Sequence, residues 1–281
     1  MTQPYDLLLI GAGHNGLTAA GFLAQAGKRV LVLERRNVPG GIATTEEVFP
    51  GVRANTGFPS AHLLHPDVIK NLRLEQYGLE FVPSPVSIFS PQKDGPPLLF
   101  GDDALQATST TATSLAHFSQ KDAIRYTEYA SFVKRIAGVL AAMMPLTPPD
   151  LKGPYNVGEL WPWAQVALKA RGLGEREMME FIRVLPMSAY DFLSEWFESD
   201  AVKGTLGLFS TLNTFLGPMG AGTALALLYQ YTGRGWPGFV KGGIGEVSEA
   251  LLKAAKAFGA EVRLGTGVQQ NLVEHGKETG V

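Results

Sequence analysis

The chain has 281 residues, enough for one large domain or two modest ones with a substantial core. Its 45% apolar and 18% charged content is ordinary for a globular protein, and a net charge of −2 from 26 acidic and 24 basic residues leaves no basic footprint for nucleic acid. The chain has no cysteine, which excludes disulfides, thiolate metal sites and dithiol redox chemistry, so any redox chemistry must come from a bound cofactor.

The opening MTQPYDLLLIGAG has no basic segment ahead of its apolar run and so does not read as a signal peptide. No stretch approaches the ~20 apolar residues that span a bilayer, and a soluble, cytoplasmic protein is expected. Residues 5–10 are a short apolar run bounded by turn signals and predict a buried strand. The glycine turn 11–16 follows, and the small residues of 17–26 predict a helix stopped by Gly27. Residues 29–34, RVLVLE, predict a second strand. Strand, helix and strand in such close succession imply a parallel sheet with a right-handed crossover.

Beyond VPGG at 38–41 the pattern loosens, and short apolar stretches at 79–82, 86–89 and 98–100 predict short strands. Residues 121–144 are the clearest helix, because Tyr129, Phe132, Val133, Ile136, Val139, Leu140 and Met143 recur at three- and four-residue spacing. PLTPPDLKGP at 145–154 breaks it and is the expected linker. From 164 to 232 the chain reads as mostly helical, interrupted by GPMGAG at 217–222. The opening pattern then partly returns in KGGIGEVSEALLKAAKAFGAEVRLG, a glycine turn, a helix from about 245 to 258 and a strand. The closing NLVEHGKETGV reads as the first strand of a hairpin without its partner, and the expectation is a chain cut short.

Gly11, Gly13 and Gly16 spell G-x-G-x-x-G after a strand and at a helix start. The first glycine allows the tight turn, the second lets backbone approach a pyrophosphate, and the third lets helix and strand pack closely. The helix N-terminus adds N–H donors and a positive dipole end for the phosphates. Glu34 closes the second strand at the position from which an acid accepts the ribose hydroxyls and repels a 2′-phosphate. His14 and Asn15 fill the free positions of the turn and are grouped with the cofactor-binding residues, as is Arg35 beside Glu34. Arg35 and Arg36 would favour NADP only with Glu34 turned away. FAD and NAD both use such a unit, and on these residues alone both stay open.

IGAGHNGLTAAGFLAQAGKRVLVLERRNVPGGIATTEEVFPG resembles the amino-terminal FAD signature of the phytoene-desaturase-type flavoproteins. GHNGL, LERR, LLHPDVI, MSAYDFLSEWFES and VKGGIGEVSEALLKAA extend the resemblance over nearly the whole chain, toward the branch of pyridine nucleotide-disulfide oxidoreductase domain-containing proteins of the second type. It implies a Rossmann-like, glutathione-reductase-like FAD-binding domain carrying an inserted, mainly helical substrate or cap domain. Gly40 and Gly41 then pack against FAD, and the Val268 backbone contacts the adenine. Two features depart from the family. Ile42 stands where many relatives carry arginine after the glycine pair, and relatives continue into a carboxy-terminal segment that completes the sheet and adds a glycine motif near the ribityl chain.

Flavin oxidation of a C–H bond needs positioning more than an acid–base pair, so no catalytic residue is assigned. His62 and His65 are candidates for a base or for capping and packing, while His117 and His275 read as surface residues. None of the histidines has metal-ligand spacing with carboxylates, and no metal is expected. Trp161, Trp163, Met178, Met179, Phe181, Trp196, Phe197, Phe209 and Phe215 either line a lipophilic tunnel or pack the core. Residues 136–145 are either a buried helix end or a surface that dips into a membrane.

The expected layout is a discontinuous FAD-binding α/β domain at 1–60 and 235–281 around a substrate or cap domain at 61–234. The expected reaction is FAD-dependent oxidation or desaturation of a lipophilic, isoprenoid-like small molecule, with the electron acceptor unassigned and peripheral membrane contact open. The alternatives are an amine-oxidase-like or NAD-linked oxidoreductase and, in another class, a non-catalytic binding or regulatory module.

Overall fold

LLLI and VLVL carry no polar residue, the pattern of parallel strands covered by helices. In the computed structural model, which describes residues 5–101, 109–149, 157–212, 214–233 and 238–281, they form β1 (Leu7–Ile10) and β2 (Val30–Leu33). The two strands pair in parallel with Leu7 opposite Val30, and α1 (His14–Gln25) crosses between them. Only VLVL is buried throughout. LLLI, expected as a buried strand, has one open face with Leu8 and Ile10 exposed, because the helices cover the sheet's other face. The hairpin β3 (Thr45–Phe49) and β4 (Val52–Asn55) follows, then α2 (Pro66–Asn71) and the two-residue β5 (Phe81–Val82).

The chain divides here. Met1–Pro83 and Pro237–Val281 make one compact unit, and Ser84–Trp236 another, inserted between them in sequence. The second unit opens with a hairpin of β6 (Val86–Ser90) and β7 (Leu98–Gly101) and is helical thereafter. Its helices are α3 (Ser109–Ala116), α4 (Gln120–Met143), α5 (Val157–Arg171), α6 (Gly174–Val184), α7 (Ala189–Trp196), α8 (Asp200–Gly207) and α9 (Thr223–Tyr229). The predicted apolar face of α4 builds the core, with Tyr126, Tyr129, Phe132, Val133, Ile136 and Leu140 buried against Phe192, Leu193 and Phe197. Ile136, Val139 and Leu140 are therefore a buried helix segment. Asp122 on the first turn is fully buried, and its carboxylate accepts from Glu198 N–H and Ser199 N–H, both at 2.9 Å. That carboxylate is structural. The expected linker lies in coil at 145–149, and its remainder falls outside the described residues.

The first unit resumes with β8 (Phe239–Val240), antiparallel to β5, followed by α10 (Gly245–Ala257) and β9 (Glu261–Arg263). β9 pairs in parallel with β2, giving a sheet of order β1-β2-β9. Helices α1 and α10 pack together, and Leu17, Ala20, Ala24, Leu251, Ala254 and Ala255 bury one face of that sheet with Val30 and Val32. The result is a Rossmann-like α/β unit with a mainly helical insertion.

The chain's end corrects one expectation. β10 (Leu272–Glu274) has its partner, β11 (Lys277–Gly280), joined by His275 and Gly276 at φ 51° and 76°. Positive φ at both loop residues is the pattern of a two-residue hairpin turn. Lys277–Gly280 was not legible as a strand because KETG has no apolar residue. No helix among the described residues is long and apolar enough to cross a membrane.

Candidate functional site

The glycine turn lies where β1 hands the chain to α1. Gly11 has φ +99°, a conformation that L side chains rarely adopt, and its N–H donates to Leu33 O at 2.7 Å. A Cβ on Gly16 would lie 2.4 Å from Gly11 O, so helix and turn pack too closely there for any side chain. Gly13 differs from both. Its φ of −66° and ψ of 165° suit any residue, and a Cβ there would meet nothing within 4 Å. The protein's own packing gives no reason for glycine at 13.

Gly13 is the N-cap of α1 and supplies no side-chain cap. The first-turn amides of a helix have no intrahelical acceptor, so the turn presents uncapped N–H donors at the positive end of the helix dipole. His14 is half-buried, and its carbonyl accepts from Thr18 Oγ1 at 2.7 Å; Asn15 is exposed.

Glu34 turns toward this loop. Its Oε2 accepts from Ala12 N–H and its Oε1 from Arg36 N–H, both at 2.8 Å. The strand end is held on its other side, where Thr266 N–H donates to Glu34 O at 2.7 Å and Gly265 N–H to Arg36 O at 2.9 Å. Arg35 is exposed, with its side-chain carbons along Gly267, and half-buried Val268 follows in the coil after β9.

Gly40 and Gly41 press directly on the turn. Gly40 N–H donates to Ala12 O at 2.7 Å, and a lone parallel bridge links Gly40 to Gly13. A Cβ on Gly41 would stand 3.3 Å from Gly13 Cα, while one on Gly40, at φ +114°, would sit 2.4 Å from Ala43 O. Two residues that the sequence reading did not place in the site hold this loop. Ser248 Oγ on α10 donates to Ala43 O at 2.7 Å, and Arg36 pairs with Glu46 at 2.6 Å and donates to Gly41 O at 3.4 Å. The Arg36 guanidinium holds the Glu46 carboxyl below its ordinary range. The LERR string carried a signal for Arg36, but a serine on α10 carried none.

The structure thus brings Gly11, Gly13, His14, Gly16, Glu34, Gly40 and Gly41 together, with Asn15, Arg35 and Val268 on neighbouring backbone. The other histidines divide. His65 caps α2, its Nδ1 accepting from Asp67 N–H at 3.2 Å. His62 is buried, with Nδ1 at 2.6 Å from Ser60 Oγ and its ring stacked on Phe58. His117 and His275 are exposed. Of the middle aromatics, Phe181 and Phe197 are buried, with Met178, Trp196 and Phe209 packed against the same core, whereas Trp161, Met179 and Phe215 are exposed. Among the described residues, no cluster of histidine and carboxylate side chains could hold a metal ion.

The family model of the NAD(P)-binding Rossmann-like domain matches residues 9–72, the segment that carries the turn, Glu34 and the glycine pair. The chain is 32% identical over 276 residues to pyridine nucleotide-disulfide oxidoreductase domain-containing protein 2 of Rattus norvegicus, covering 92% of this chain and 47% of that protein. It is 28% identical over 283 residues to a limonene dehydrogenase subunit of Castellaniella defragrans, covering 98% of this chain and 47% of that one. A crystal structure of an oxidoreductase from Methanosarcina mazei superposes with a TM-score of 0.53 at 17% identity, over 96% of this chain and 54% of that chain. The chain resembles the second-type pyridine nucleotide-disulfide oxidoreductase domain-containing proteins along almost its whole length. It spans about half the length of the curated relatives it matches.

Proposed function

We propose that this chain is the dinucleotide-holding part of an FAD-dependent oxidoreductase that oxidises or desaturates a lipophilic molecule. The observation that carries the reading is Gly13. It has an ordinary backbone conformation and open space where its side chain would be, at the mouth of an uncapped helix N-terminus. A diphosphate approaching the turn's amides would need that space.

Gly11, Gly13 and Gly16 would hold the diphosphate, with His14 and Asn15 beside it. Glu34, directed into the turn, would accept the adenosine ribose hydroxyls and repel a 2′-phosphate. Arg36 is engaged by Glu46, which leaves only exposed Arg35 to favour NADP. Gly40 and Gly41 allow backbone to approach the cofactor closely, and the Val268 backbone would contact the adenine. When bound, FAD supplies the two-electron acceptor for C–H oxidation. The rest of the work is positioning and exclusion of water, which suits a chain whose histidines outside the glycine turn cap, pack or lie at the surface.

The lipophilic substrate class is favoured by the similarity to the limonene dehydrogenase of Castellaniella defragrans, which is named for a hydrocarbon. The matched family model, described as NAD(P)-binding, favours an NAD-linked alternative. Denaturing the purified protein and identifying the released small molecule by mass spectrometry separates the two. FAD with a flavin absorption spectrum is the expected result. NAD in its place selects the alternative, and protein that neither carries nor takes up either nucleotide overturns both and leaves a non-catalytic binding module.

A further inference from the structure

A surface helix ordinarily buries its apolar residues and shows its polar ones to water. Helix α5 does the reverse. At about 100° per residue, Val157, Trp161, Ala164 and Leu168 fall within about 60° of one another, an uncharged stripe about 16 Å long. All four are exposed, Val157 at 77%, Trp161 at 59% and Leu168 at 62%. Val166, the one buried residue of the helix, lies on the opposite side.

The helix is nonetheless held in place. It packs against α4 and α6, and half-buried Trp163 donates from Nε1 to Thr147 O at 3.0 Å. Trp163 therefore ties the helix down, while Trp161 stays in the open. The charges of α5 lie off the stripe or past its end. Glu159 is on the side of Val166, and Lys169 and Arg171 occupy the last turn, where neither enters an ion pair among the described residues. Helix α6, packed against α5, also leaves Met179 and Ile182 exposed.

We propose that α5 lies flat on a lipid bilayer, with Val157, Trp161 and Leu168 among the upper acyl carbons and Lys169 and Arg171 at the headgroups. Tryptophan is enriched at that boundary, where its ring meets hydrocarbon and its N–H meets water. A helix with an apolar stripe along one side suits the interface rather than a span. One polar atom, the Trp161 indole nitrogen, lies along the stripe, against the roughly ten hydrogen bonds that fix a typical protein partner. A bilayer needs none. The choice of occupant rests on the lipophilic-substrate reading, since a molecule that dissolves in membranes is collected there.

The test is sedimentation of the 281-residue chain with phosphatidylcholine vesicles, alone and with phosphatidylglycerol added. Binding to both is expected, tighter on the anionic vesicles and persisting in high salt because the stripe is apolar. Tryptophan emission should shift to the blue on binding, and W161F should remove most of that shift. L168E puts a charge on the stripe and should weaken binding about tenfold. I124E, at an exposed site on α4, should leave binding unchanged. Quenching by brominated phosphatidylcholine is expected too; it needs no variant and so does not depend on how L168E folds. The proposal is overturned by absence of binding or quenching, by binding only to anionic vesicles at low salt, or by a blue shift that survives W161F. An L168E protein that binds undiminished, or an I124E protein impaired as much as L168E, overturns it as well. So does a dimer that L168E dissolves, which would seat a second copy on the stripe. Vesicle binding is read without flavin and flavin retention without vesicles, so this proposal and the dinucleotide reading fail separately.

Discussion

The chain contains two glycine turns that open onto helices of the same unit, and they are finished in opposite ways. At the first, Gly13 caps α1 without a side chain. At the second, the β3–β4 hairpin fills the space. Asn55 Oδ1 accepts from Ile244 N–H at 3.0 Å, Thr45 Oγ1 accepts from Gly245 N–H at 2.9 Å, and the Thr45 hydroxyl donates to Asn55 Oδ1 at 2.8 Å. Gly243, at φ +98°, is wedged so closely that a Cβ would lie 2.4 Å from Thr45 Oγ1. A helix start that the protein caps itself is architecture. One left bare beside a carboxylate is where a ligand's phosphates would complete the structure.

The contrast predicts that substitutions at the second turn cost stability and those at the first cost ligand. The largest stability loss belongs to Gly243→Ala, which combines a left-handed conformation with a clash against Thr45. About 2–4 kcal/mol is expected, read as a fall in the denaturant midpoint. A near-neutral result would mean that the second turn is loose and the contrast is false. Asn55→Ala comes next. It removes the acceptor of Ile244 N–H and should cost about 1–2 kcal/mol, as helix-cap deletions do. Gly13→Ser sharpens the other side. Ser and Gly differ by only a few tenths of a kcal/mol as caps, so thermal stability of the ligand-free protein should hold to within about 0.5 kcal/mol. Flavin retention, read by absorbance after gel filtration, should fall at least about tenfold as the new side chain takes the diphosphate's space. If Gly13→Ser kept full flavin, the first turn would be no more a ligand site than the second.

Much of the first turn was legible because its parts are local. β1, the glycines, α1, β2 and Glu34 follow one another, and each is specified by its own periodicity or turn residue. Helix α4 was legible for the same reason, its apolar spacing being continuous. The second turn was legible only as a glycine pattern. Its caps come from Thr45 and Asn55, separated from Gly245 and Ile244 by 200 and 189 positions. Nothing in TEEVF and VRAN marks a hairpin, because both strands are largely exposed and lack alternation. The middle aromatics show the limit of residue type. Phe197 is buried at 2% exposure and Phe215 is fully exposed, a difference set by tertiary packing.

The smallest effect lies beneath the bare turn, where β1 and β2 begin. Asp6 Oδ1 and Oδ2 accept from Arg29 Nη2 and Nε at 2.6 and 3.2 Å, and Oδ2 also accepts from Arg29 N–H at 2.9 Å. The Arg29 side chain, helped by its backbone N–H, lowers the Asp6 pKa from 3.8 to about 2. A carboxylate whose pKa is depressed on folding stabilises the native state above its unfolded pKa, and that stabilisation is lost as pH falls through the folded value. The window is therefore pH 3.8 down to about 2. Both side chains are solvent-exposed, so the gain is a small one that salt weakens. Asp6→Asn should leave flavin retention untouched and flatten the stability profile only within that window, by urea midpoint against pH at low salt. A profile identical to that of the unaltered chain would show that the pair contributes nothing. Loss of flavin near neutral pH would instead show that the strand ends beneath the turn take part in holding it.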